Sequence, residues 1–555
     1  MGVEPSRDFK GRAIGAICRE LDLLRVDRDG IMRVPFLIKG DLRVPPRVDV
    51  GEIRRSFEVR DRAAGIGASG VTHAWAGGAQ VLREPVIDRK TFAATGRFRY
   101  TVLPVFTAPE VVEPDVLRLS RELFNLPFGQ VLDYVGALGR ALSDGHDFVS
   151  QVADATRDTA ELADLWHDAG FASLALLLDP DTVRDMVDRD LCSWGIPGSR
   201  FLDAWTPLPG ASVLPAPVNL AAGEVFAARG YAWAPRSPKM RAYPTRQLHI
   251  TAGNAPQIPF FSALRALATK SAAVVKSPQG ATMPGALLAL AAVASAPDHP
   301  LTKNLSIVYW PGGDRAVEDA FFAPGAFDRI VVWGAPDSVL SVKERAGFTK
   351  VLSFNPRFGM SLIGREAHGP DLPLVAARAV CDSLVANQKA CIASQVHYVE
   401  GTDQEVDAYA QEVRKALAAF DAHAPNYIPP VLLGELKRLM RGVLVSADWL
   451  LNQKDGAFSS GVVVSREAFP ILKHPMCRLV VVRPVADLAQ AVAYMHPGVS
   501  TVGIYPEARR LELRDAIAAA GVSNVLPLGQ AGSGFAGQSH DGMMALTELV
   551  DWKNG

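Results

Sequence analysis

Short runs of consecutive apolar residues recur through residues 246–363, separated by stretches whose apolar residues lie three and four positions apart. The runs are RQLHIT (246–251), AAVVK (272–276), LSIVYW (305–310), RIVVWG (329–334) and KVLSF (350–354). Continuous apolar runs are typical of strands buried in a parallel sheet, and the wider spacing is typical of the helices that connect them. The pattern predicts a doubly wound α/β sheet, in which ligands bind at the carboxyl ends of the strands.

A second α/β block is predicted at about 360–500. It has a helix at 371–386, the polar loop NQKACIA, the strand SQVHYVEG and the strand RLVVVRPV at 478–485. A helix stopped by Gly521 follows, because glycine readily adopts the conformation that ends a helix. The two blocks therefore predict two α/β units in the second half of the chain.

The first half of the chain is less regular. Strands are predicted at 32–40 and 97–106 and helices over 116–178, and residues 190–245, rich in Pro, Gly and Trp, are predicted to be a surface segment or an insertion. The length of 555 residues allows about three domains. The predicted divisions are a β-rich region at 1–115, a cofactor unit at 116–355 with a helical or irregular insertion at 150–240, a thiol-bearing unit at 356–530 and a tail at 531–555.

The charge balance and the longest apolar segments exclude two classes of function. The chain carries 58 Lys and Arg against 59 Asp and Glu, a formal net charge of −1. Broad nucleic-acid binding normally needs a basic excess. No apolar run reaches the roughly 20 residues that a membrane span needs, and the charged N-terminus lacks an apolar signal core. We therefore expect a cytoplasmic protein without a membrane span.

The chain has five cysteines: Cys18, Cys192, Cys381, Cys391 and Cys477. The number is odd and no two form a CxxC motif, which argues against a disulfide scaffold or a zinc ribbon; no metal site is predicted. Cys381 is expected to pack in the core, and Cys18, Cys192 and Cys477 are expected to be inert. Cys391 differs because it lies in a short polar loop with small neighbours, where a reactive thiolate can be presented.

Two of the loops after predicted strands have features suited to a nucleotide. No GxGxxG motif follows any of the strands predicted at 246–354, so the ordinary dinucleotide fingerprint is absent from these loops. In YWPGG, Gly312 could allow the backbone to approach a phosphate, or the motif could be a simple turn. Lys276 ends an apolar strand and could reach ribose hydroxyls or phosphate; the alternative is a solvated lysine.

Taken in order, the loops resemble the aldehyde dehydrogenase superfamily. TAGNAPQIPF (251–260), VVKSPQG (274–280), VVWGAP (331–336) and VANQKACIASQVHYVEG (385–401) are similar to its oxyanion, ribose, nicotinamide-side and nucleophile segments. More closely, GNAP, VYWPGG, NQKACIASQ and the tail SHDGMMALTELVDW (539–552) resemble the LuxC-type acyl-CoA reductases. Each motif alone is weak, but their order over roughly 240–552 is fairly specific.

The resemblance implies an aldehyde-dehydrogenase-like fold, with a doubly wound cofactor domain, an α/β catalytic domain and a small β-rich part that contributes to a homo-oligomer. It implies that Cys391 is the nucleophile and that the Asn254 side-chain amide and the Cys391 N–H form the oxyanion hole. The cofactor residues that it implies are Thr251, Ala252, Lys276, Ser277, Gln279, Gly312, Gly334 and Ala335.

Departures from the superfamily pattern bear on the chemistry. Hydrolytic members carry a glutamate base, whereas the matching stretch here, NPRFGMS (355–361), has no carboxylate. Without a base, attack by water is poorly supported, while a thiol such as coenzyme A needs less help. Gln279 stands where NAD-preferring members often have a glutamate, which favours NADPH over NADH because no anion repels a 2′-phosphate. His474 replaces a second ribose-binding glutamate, so that contact is not expected.

The resulting hypothesis is NADPH-dependent reduction of an acyl-CoA, or another acyl thioester, to an aldehyde through an acyl-Cys391 thioester. The alternatives are oxidation of an aldehyde to an acid or acyl-CoA, and a non-catalytic acyl-CoA-binding or assembly subunit. A Cys–His–Asp thiol hydrolase using His540 and Asp541 is a further alternative, but side chains adjacent in sequence make a poor relay. The resemblance also implies an acyl-activating, acyl-protein synthetase-like partner.

Overall fold

The computed structural model describes residues 8–64, 72–89, 94–160, 162–209, 238–425, 428, 430–442, 446–454, 456–467 and 474–555. Over these ranges, no helix combines the length and the apolar character that crossing a membrane requires. The same ranges contain no group of three or more His, Cys, Asp or Glu side chains arranged to hold a metal ion.

The N-terminal region contributes to two different sheets. Its elements are α1 (Ile14–Leu21), β1 (Ile31–Arg33), β2 (Phe36–Ile38), β3 (Asp41–Arg43), α2 (Val50–Ala64), β4 (Thr72–Ala76), β5 (Ala79–Ile87) and β6 (Ala94–Leu103). One sheet has the order β1-β6-β5-β4, whereas β2 and β3 join the cofactor-side sheet. The single strand predicted at 32–40 is thus two strands, separated at Pro35, which has no N–H to donate. The predicted boundary at residue 115 consequently divides a continuous sheet.

Helices dominate the next region, as predicted for 116–178. They are α3 (Ala108–Val111), α4 (Val116–Leu119), α5 (Phe128–Asp144), α6 (His146–Arg157), α7 (Asp164–Ala172), α8 (Pro180–Asp190) and α9 (Gly198–Asp203), followed by β7 (Thr206–Pro207) and β8 (Lys239–Tyr243). Of the two alternatives for 190–245, the surface segment is wrong for the described parts, because Phe201, Leu202 and Ala242 are buried in the core; the insertion stays a prediction. Residues 210–237 of the predicted insertion lie outside the described residues.

The cofactor-side sheet contains the five strands that the apolar runs predict. They are β9 (Arg246–Ile250), β10 (Ala272–Lys276), β11 (Leu305–Val308), β12 (Arg329–Trp333) and β13 (Lys350–Phe354), with α10 (Gln257–Ala268), α11 (Met283–Ser295), α12 (Pro300–Lys303), α13 (Arg315–Phe321) and α14 (Pro336–Arg345). The order is β13-β12-β9-β10-β11-β2-β3, parallel from β13 to β11, with β2 and β3 as an antiparallel edge. Helix α11 is buried along its length, which explains why its sequence is apolar on every face.

The second sheet carries the cysteine loop. Its elements are β14 (Phe358–Ile363), α15 (Leu372–Ser383), β15 (Ser394–Glu400), α16 (Asp403–His423), α17 (Pro430–Arg441), β16 (Asp448–Lys454), β17 (Ala457–Val464), β18 (Leu479–Val485), β19 (Val499–Tyr505), α18 (Glu507–Ala519) and β20 (Asn524–Pro527). The order is β16-β17-β18-β15-β14-β19-β20, parallel except for β16. The chain then returns to the first unit through α19 (Ala545–Leu549) and β21 (Asp551–Asn554), which pairs with β8.

The two sheets meet through opposite edges. Asn254 follows β9, at the carboxyl edge of the cofactor-side sheet, and Lys389 precedes β15, at the amino edge of the second sheet. The Asn254 Nδ2 donates a hydrogen bond to the Lys389 carbonyl oxygen at 3.4 Å. The cleft between these edges therefore contains both the loops after the cofactor-side strands and the cysteine loop.

Candidate active site

Strand β9 lies at the point where the strand order of the cofactor-side sheet reverses. Its two neighbours are β10 and β12, and the chain passes from β10 and β11 on one side to β12 and β13 on the other. Loops diverge at such a point and leave a crevice at the carboxyl ends of the strands. Thr251 and Ala252 follow β9 into this crevice, and the Thr251 hydroxyl donates to the Lys276 carbonyl oxygen at 2.6 Å.

Lys276 ends β10 and directs its ammonium group towards two aromatic rings. Its Nζ lies 5.3 Å from the ring centroids of both Tyr309 and Trp310. Burial lowers the pKa of Lys276 to about 8, against the opposing charge of Glu318. Among the described residues, no carboxylate lies within 4.0 Å of this ammonium group. A partly desolvated cation without a close counter-ion suits an anionic or hydroxyl-rich ligand.

The remaining predicted cofactor residues surround the same crevice. Ser277 is buried, and a methyl group at Gly285 of α11 would lie 2.5 Å from its Oγ, so this helix packs directly on the serine. Gln279 is exposed. A methyl group at Gly312 would meet no atom within 4 Å, so the backbone there is open to approach. Gly334 and Ala335 immediately precede α14.

The cysteine loop begins with three consecutive non-glycine residues in left-handed conformations. Ala386, Asn387 and Gln388 have φ values of +47°, +57° and +66°. Such residues cost free energy and persist only where the surroundings hold them. Here the Arg478 Nε donates to the Asn387 Oδ1 at 2.6 Å, and the Gln388 Nε2 donates to the Leu479 carbonyl oxygen at 2.7 Å. The strain is thus maintained by buried hydrogen bonds and sets the path of the loop towards Cys391.

Cys391 is held from two neighbouring strands. The Ser500 Oγ in β19 donates to the Cys391 carbonyl oxygen at 2.6 Å, and the Gly359 N–H in β14 donates to the Ala393 carbonyl oxygen at 2.7 Å. The thiol is partly exposed, and the Cys391 N–H hydrogen bonds to its own sulfur. That N–H is the group expected in the oxyanion hole.

The thiol of Cys391 is protonated at neutral pH in this arrangement. Burial and the negative charge of Asp541 raise its pKa to about 11, while the Cys391 N–H and the Arg357 charge act in the opposite direction. The expectation that the loop can present a thiolate stays a prediction, and at this pKa it requires that the thiol proton be removed. The sequence could not show the contribution of Asp541, because Asp541 lies in the tail.

Asn254 faces the cysteine loop, as an oxyanion donor must. Its Nδ2 carries two hydrogens, of which one bonds the Lys389 carbonyl oxygen, two residues before Cys391. The second hydrogen is available to a ligand at the cysteine.

His540 and Asp541 do not form a relay with Cys391. The His540 Nδ1 accepts a hydrogen bond from the Arg265 Nη2 at 2.9 Å, and its ring lies 4.5 Å from that of Phe354. Burial and the charges of Arg265 and Arg357 lower the pKa of His540 to about 3, so it stays neutral with its acceptor nitrogen occupied. A Cys–His–Asp thiol hydrolase is not supported by this geometry.

Two further predictions concern His474 and Cys381. The His474 Nδ1 accepts the Met476 N–H at 2.9 Å, and burial lowers its pKa to about 3, so it provides no carboxylate-like contact to a ribose. Cys381 is exposed, so the prediction that it packs in the core is wrong. The buried residues of α15 include Ala379 and Val380 but not Cys381, which lies outside the buried face of the helix.

Sequence reasoning missed Arg357 and Ser500 at this site. Arg357 is visible only as part of the stretch that lacks a glutamate, and Ser500 has no motif around it. Their importance depends on the neighbouring positions of β14, β15 and β19 in the sheet.

A model of the acyl-CoA reductase (LuxC) family matches residues 231–552, which is more than half of the chain. The chain belongs to the LuxC family. A relative, the long-chain acyl-protein thioester reductase of Photorhabdus laumondii, is 27% identical over 334 residues, covering 58% of this chain and 66% of that protein. The chain thus spans just under two thirds of that relative's length. A second such reductase, from Photobacterium leiognathi, is 22% identical over 81% of this chain and 86% of its own.

Solved structures similar to this LuxC-family chain are aldehyde dehydrogenases. An NADP-dependent glyceraldehyde-3-phosphate dehydrogenase from Bacillus halodurans, complexed with NADP, has a TM-score of 0.63 at 13% identity, covering 88% of this chain and 99% of its own. A mutant aldehyde dehydrogenase from Pseudomonas syringae, complexed with NAD⁺ and octanal, has a TM-score of 0.61 at 11% identity, covering 96% and 97%. At these identities the similarity establishes the aldehyde-dehydrogenase-like α/β fold alone.

Proposed function

We propose that this protein reduces an acyl-CoA thioester to the aldehyde, with NADPH as the reductant and an acyl-Cys391 thioester as the intermediate. The observation that carries the proposal is the position of the Cys391 loop. It is held against Asn254 where the carboxyl edge of the cofactor-side sheet meets the amino edge of the second sheet. One cleft therefore contains a thiol, an amide donor and a crevice suited to a nucleotide.

The residues around the crevice fit a nicotinamide nucleotide. The Lys276 ammonium group, which lacks a close carboxylate among the described residues, would bind the ribose or a phosphate, with Thr251, Ala252 and Ser277 beside it. The open backbone at Gly312 and the turn at Gly334 and Ala335 would line the other side. A bound NADPH would supply the hydride that reduces the acyl thioester.

Cys391 attacks the carbonyl carbon of the acyl thioester after it loses its proton. The free hydrogen of the Asn254 amide and the Cys391 N–H stabilise the negative charge that develops on the carbonyl oxygen. Coenzyme A departs as a thiol and leaves the acyl group on Cys391. Once the acyl carbon has accepted a hydride, its C–S bond breaks, the aldehyde departs, and the Cys391 thiolate takes a proton from solvent to become a thiol again.

The segment that stands in place of the hydrolytic glutamate favours thioester chemistry over hydrolysis. Residues 355–361, which lead into β14 beside the cysteine loop, contain no carboxylate to activate water. Phe354 at the end of β13 is buried beneath His540 and stacks on Trp333 with centroids 4.0 Å apart. Oxidation of an aldehyde to an acid requires water to attack the acyl-enzyme. The apolar surface formed by Phe354 and Trp333 gives water little assistance in that attack.

Gln279 supports NADPH as the preferred cofactor over NADH. It is exposed and uncharged, three residues after Lys276, so no anion at this position repels a 2′-phosphate.

Because the curated relatives are named long-chain acyl-protein thioester reductases, we also propose that an acylated protein can replace acyl-CoA as the donor. The same proposal includes an acyl-activating protein partner and a homo-oligomer with the 1–115 region in its interface. It also includes a cytoplasmic location and the domain divisions given above.

Acyl-CoAs of different lengths, with NADPH and with NADH, test the function directly. We expect consumption of the reduced cofactor that depends on acyl-CoA, with one aldehyde formed per NADPH. Without NADPH, mass spectrometry should locate one acyl group on Cys391, and Cys391→Ala should abolish both results. NADPH consumption by Cys391→Ala at the rate of the unmodified protein would refute the mechanism. Aldehyde oxidation that is equally fast with and without coenzyme A would instead favour an acid-forming dehydrogenase.

A further inference from the structure

A buried ion pair lies beside the cysteine loop and has no part in the mechanism above. The Arg357 Nε lies 3.5 Å from the Asp541 Oδ1, with 16% and 4% of the two side chains exposed. The pair is loose compared with the buried Arg478–Asp421 pair, which is 2.6 Å long. Among the described residues, the Asp541 carboxylate has no shorter ion pair. Its oxygens therefore keep the capacity to accept a proton.

The pair lies at the same edge of the second sheet as Cys391. Arg357 immediately precedes β14, in which the Gly359 N–H bonds the Ala393 carbonyl oxygen, two residues after Cys391. The Arg357 Nη1 donates to the Ser523 Oγ at 3.2 Å, just before β20. The strand between β14 and β20 is β19, whose Ser500 holds the Cys391 carbonyl. The amino ends of these parallel strands therefore place the pair and Cys391 at the same edge of the sheet, where the charge of Asp541 acts on the thiol.

The tail holds Asp541 in a defined conformation. The backbone groups of His540 and Met543 bond each other at 2.8 and 2.9 Å, and Asp541 lies inside this turn with φ +52°. The Arg265 Nη2 fixes the His540 ring, and the Asp190 carboxylate accepts the Leu546 and Thr547 N–H groups further along. A turn anchored on both sides positions a carboxylate in the way that a catalytic group requires.

We propose that Asp541, held by Arg357, accepts the proton of the Cys391 thiol during acyl transfer and gives it to the departing thiolate; the inference rests on the proposed function. The S–H bond of Cys391 breaks and an O–H bond forms on Asp541, while the sulfur bonds the acyl carbon. The C–S bond of the acyl-CoA then breaks, and the coenzyme A thiolate takes the proton from Asp541. No electrons are exchanged, and Asp541 ends as a carboxylate.

The charges around the thiol are consistent with this role. The thiol has a pKa of about 11, so it needs a base at neutral pH. Burial raises the pKa of Asp541, opposed by Arg357 before β14 and Arg265 on α10, which makes the carboxylate a better proton acceptor than an exposed one. Asp541 and Arg357 are the two charged side chains that act on the Cys391 thiol.

The test is the acyl-transfer half-reaction, measured without NADPH by coenzyme A release and by the acyl mass on Cys391. We expect Asp541→Asn to slow it by about 10²–10⁴-fold and Asp541→Glu to recover part of the rate. Alkylation of Cys391 by iodoacetamide at pH 8 should instead become faster in Asp541→Asn, because the anion that raises the thiol pKa is gone. A purely structural role would not move these two rates in opposite directions. Glu548→Gln is the matched control, since Glu548 lies in the same tail but pairs with Lys350.

Two outcomes separate this inference from the proposed function. Acylation of Asp541→Asn at the rate of the unmodified protein overturns the role of Asp541 alone. Absence of an acyl group on Cys391 in the unmodified protein overturns the proposed function, and the inference with it.

The unmodified protein provides a test that does not depend on the folding of a variant. If Asp541 takes the proton, the acylation rate should reach a plateau once the carboxylate is ionised, well below the thiol pKa of about 11. Iodoacetamide alkylation should keep rising about tenfold per pH unit towards that value. Parallel pH profiles for the two reactions would overturn the proposal.

Discussion

Gly359→Ala tests whether β14 positions Cys391, the proposed nucleophile. Gly359 is buried in β14, and its N–H bonds the Ala393 carbonyl oxygen. A methyl group on Gly359 would lie 3.0 Å from both the Ala393 carbonyl carbon and the Ser394 nitrogen, and closer still to the Ile392 carbonyl oxygen. All three atoms are backbone atoms, so no side-chain rotation can relieve the contact. The segment after Cys391 must move instead.

The size of the displacement follows from these distances. Ordinary contact begins at 3.4 Å, so the backbone must recede by at least 3.4 − 3.0 = 0.4 Å, and further at Ile392. Overpacking of this kind costs about 1–3 kcal/mol. A misplacement of 1 Å can reduce a reaction rate by about 10²-fold, so we expect acylation of Cys391 to fall by about 10–100-fold.

The assay compares the single-turnover rate of acylation with the free energy of unfolding in denaturant. Gly434→Ala is the control, because a methyl group there meets no atom within 4 Å and Gly434 lies in helix α17. This control should gain up to about 1 kcal/mol in stability without any change in acylation. Unchanged acylation in Gly359→Ala would refute the view that β14 holds the cysteine loop.

Three other substitutions or conditions have definite expected results. Asn254→Ala should slow acylation by about 10²–10³-fold in stopped-flow measurements, because one oxyanion donor is lost. NADPH affinity, measured by fluorescence titration, should weaken as the pH rises through about 8, because Lys276 then loses the proton that gives it its charge; Lys276→Arg should remove this dependence. Arg478→Met should lower the free energy of unfolding by about 3–5 kcal/mol, because Asp421 is left buried without its partner and Asn387 loses its donor.

Each of these expectations has a clear contrary result. Acylation of Asn254→Ala at the original rate would exclude that amide from the oxyanion hole. A flat pH profile for the unmodified protein would place NADPH away from Lys276. Arg478→Met of normal stability would mean that the left-handed loop is held by other contacts.

The sequence predicted the cofactor-side strands well for a physical reason. Strands buried on both faces are apolar throughout, and such runs at 272–276 and 350–354 match the strand bounds residue for residue. The same local pattern could not reveal that β2 pairs with β11, because Leu37 and Ile307 are far apart along the chain. Pairing over such a distance is decided by tertiary packing.

The site was predictable where its residues follow strands, and unpredictable where distant segments converge. Asn254, Lys276 and Cys391 lie in loops whose position follows from the strand order. Ala386 carries no local signal for a left-handed conformation, since alanine favours helices and the strain is held by Arg478 far along the chain. The raised pKa of the Cys391 thiol likewise depends on burial and on Asp541, which no spacing rule connects to Cys391.

The approach of Asp541 to Cys391 also has a consequence for biosynthesis. The two residues are separated by 541 − 391 = 150 positions, so at about 5–20 residues per second the ribosome needs about 8–30 s to pass from one to the other. During that interval the nascent thiol titrates near its ordinary pKa of about 8.5. In the folded protein burial and Asp541 move that pKa to about 11. Burial is the larger of the two causes, so the thiol becomes less reactive towards oxidants and alkylating agents as its loop is buried, and the arrival of Asp541 lowers its reactivity further.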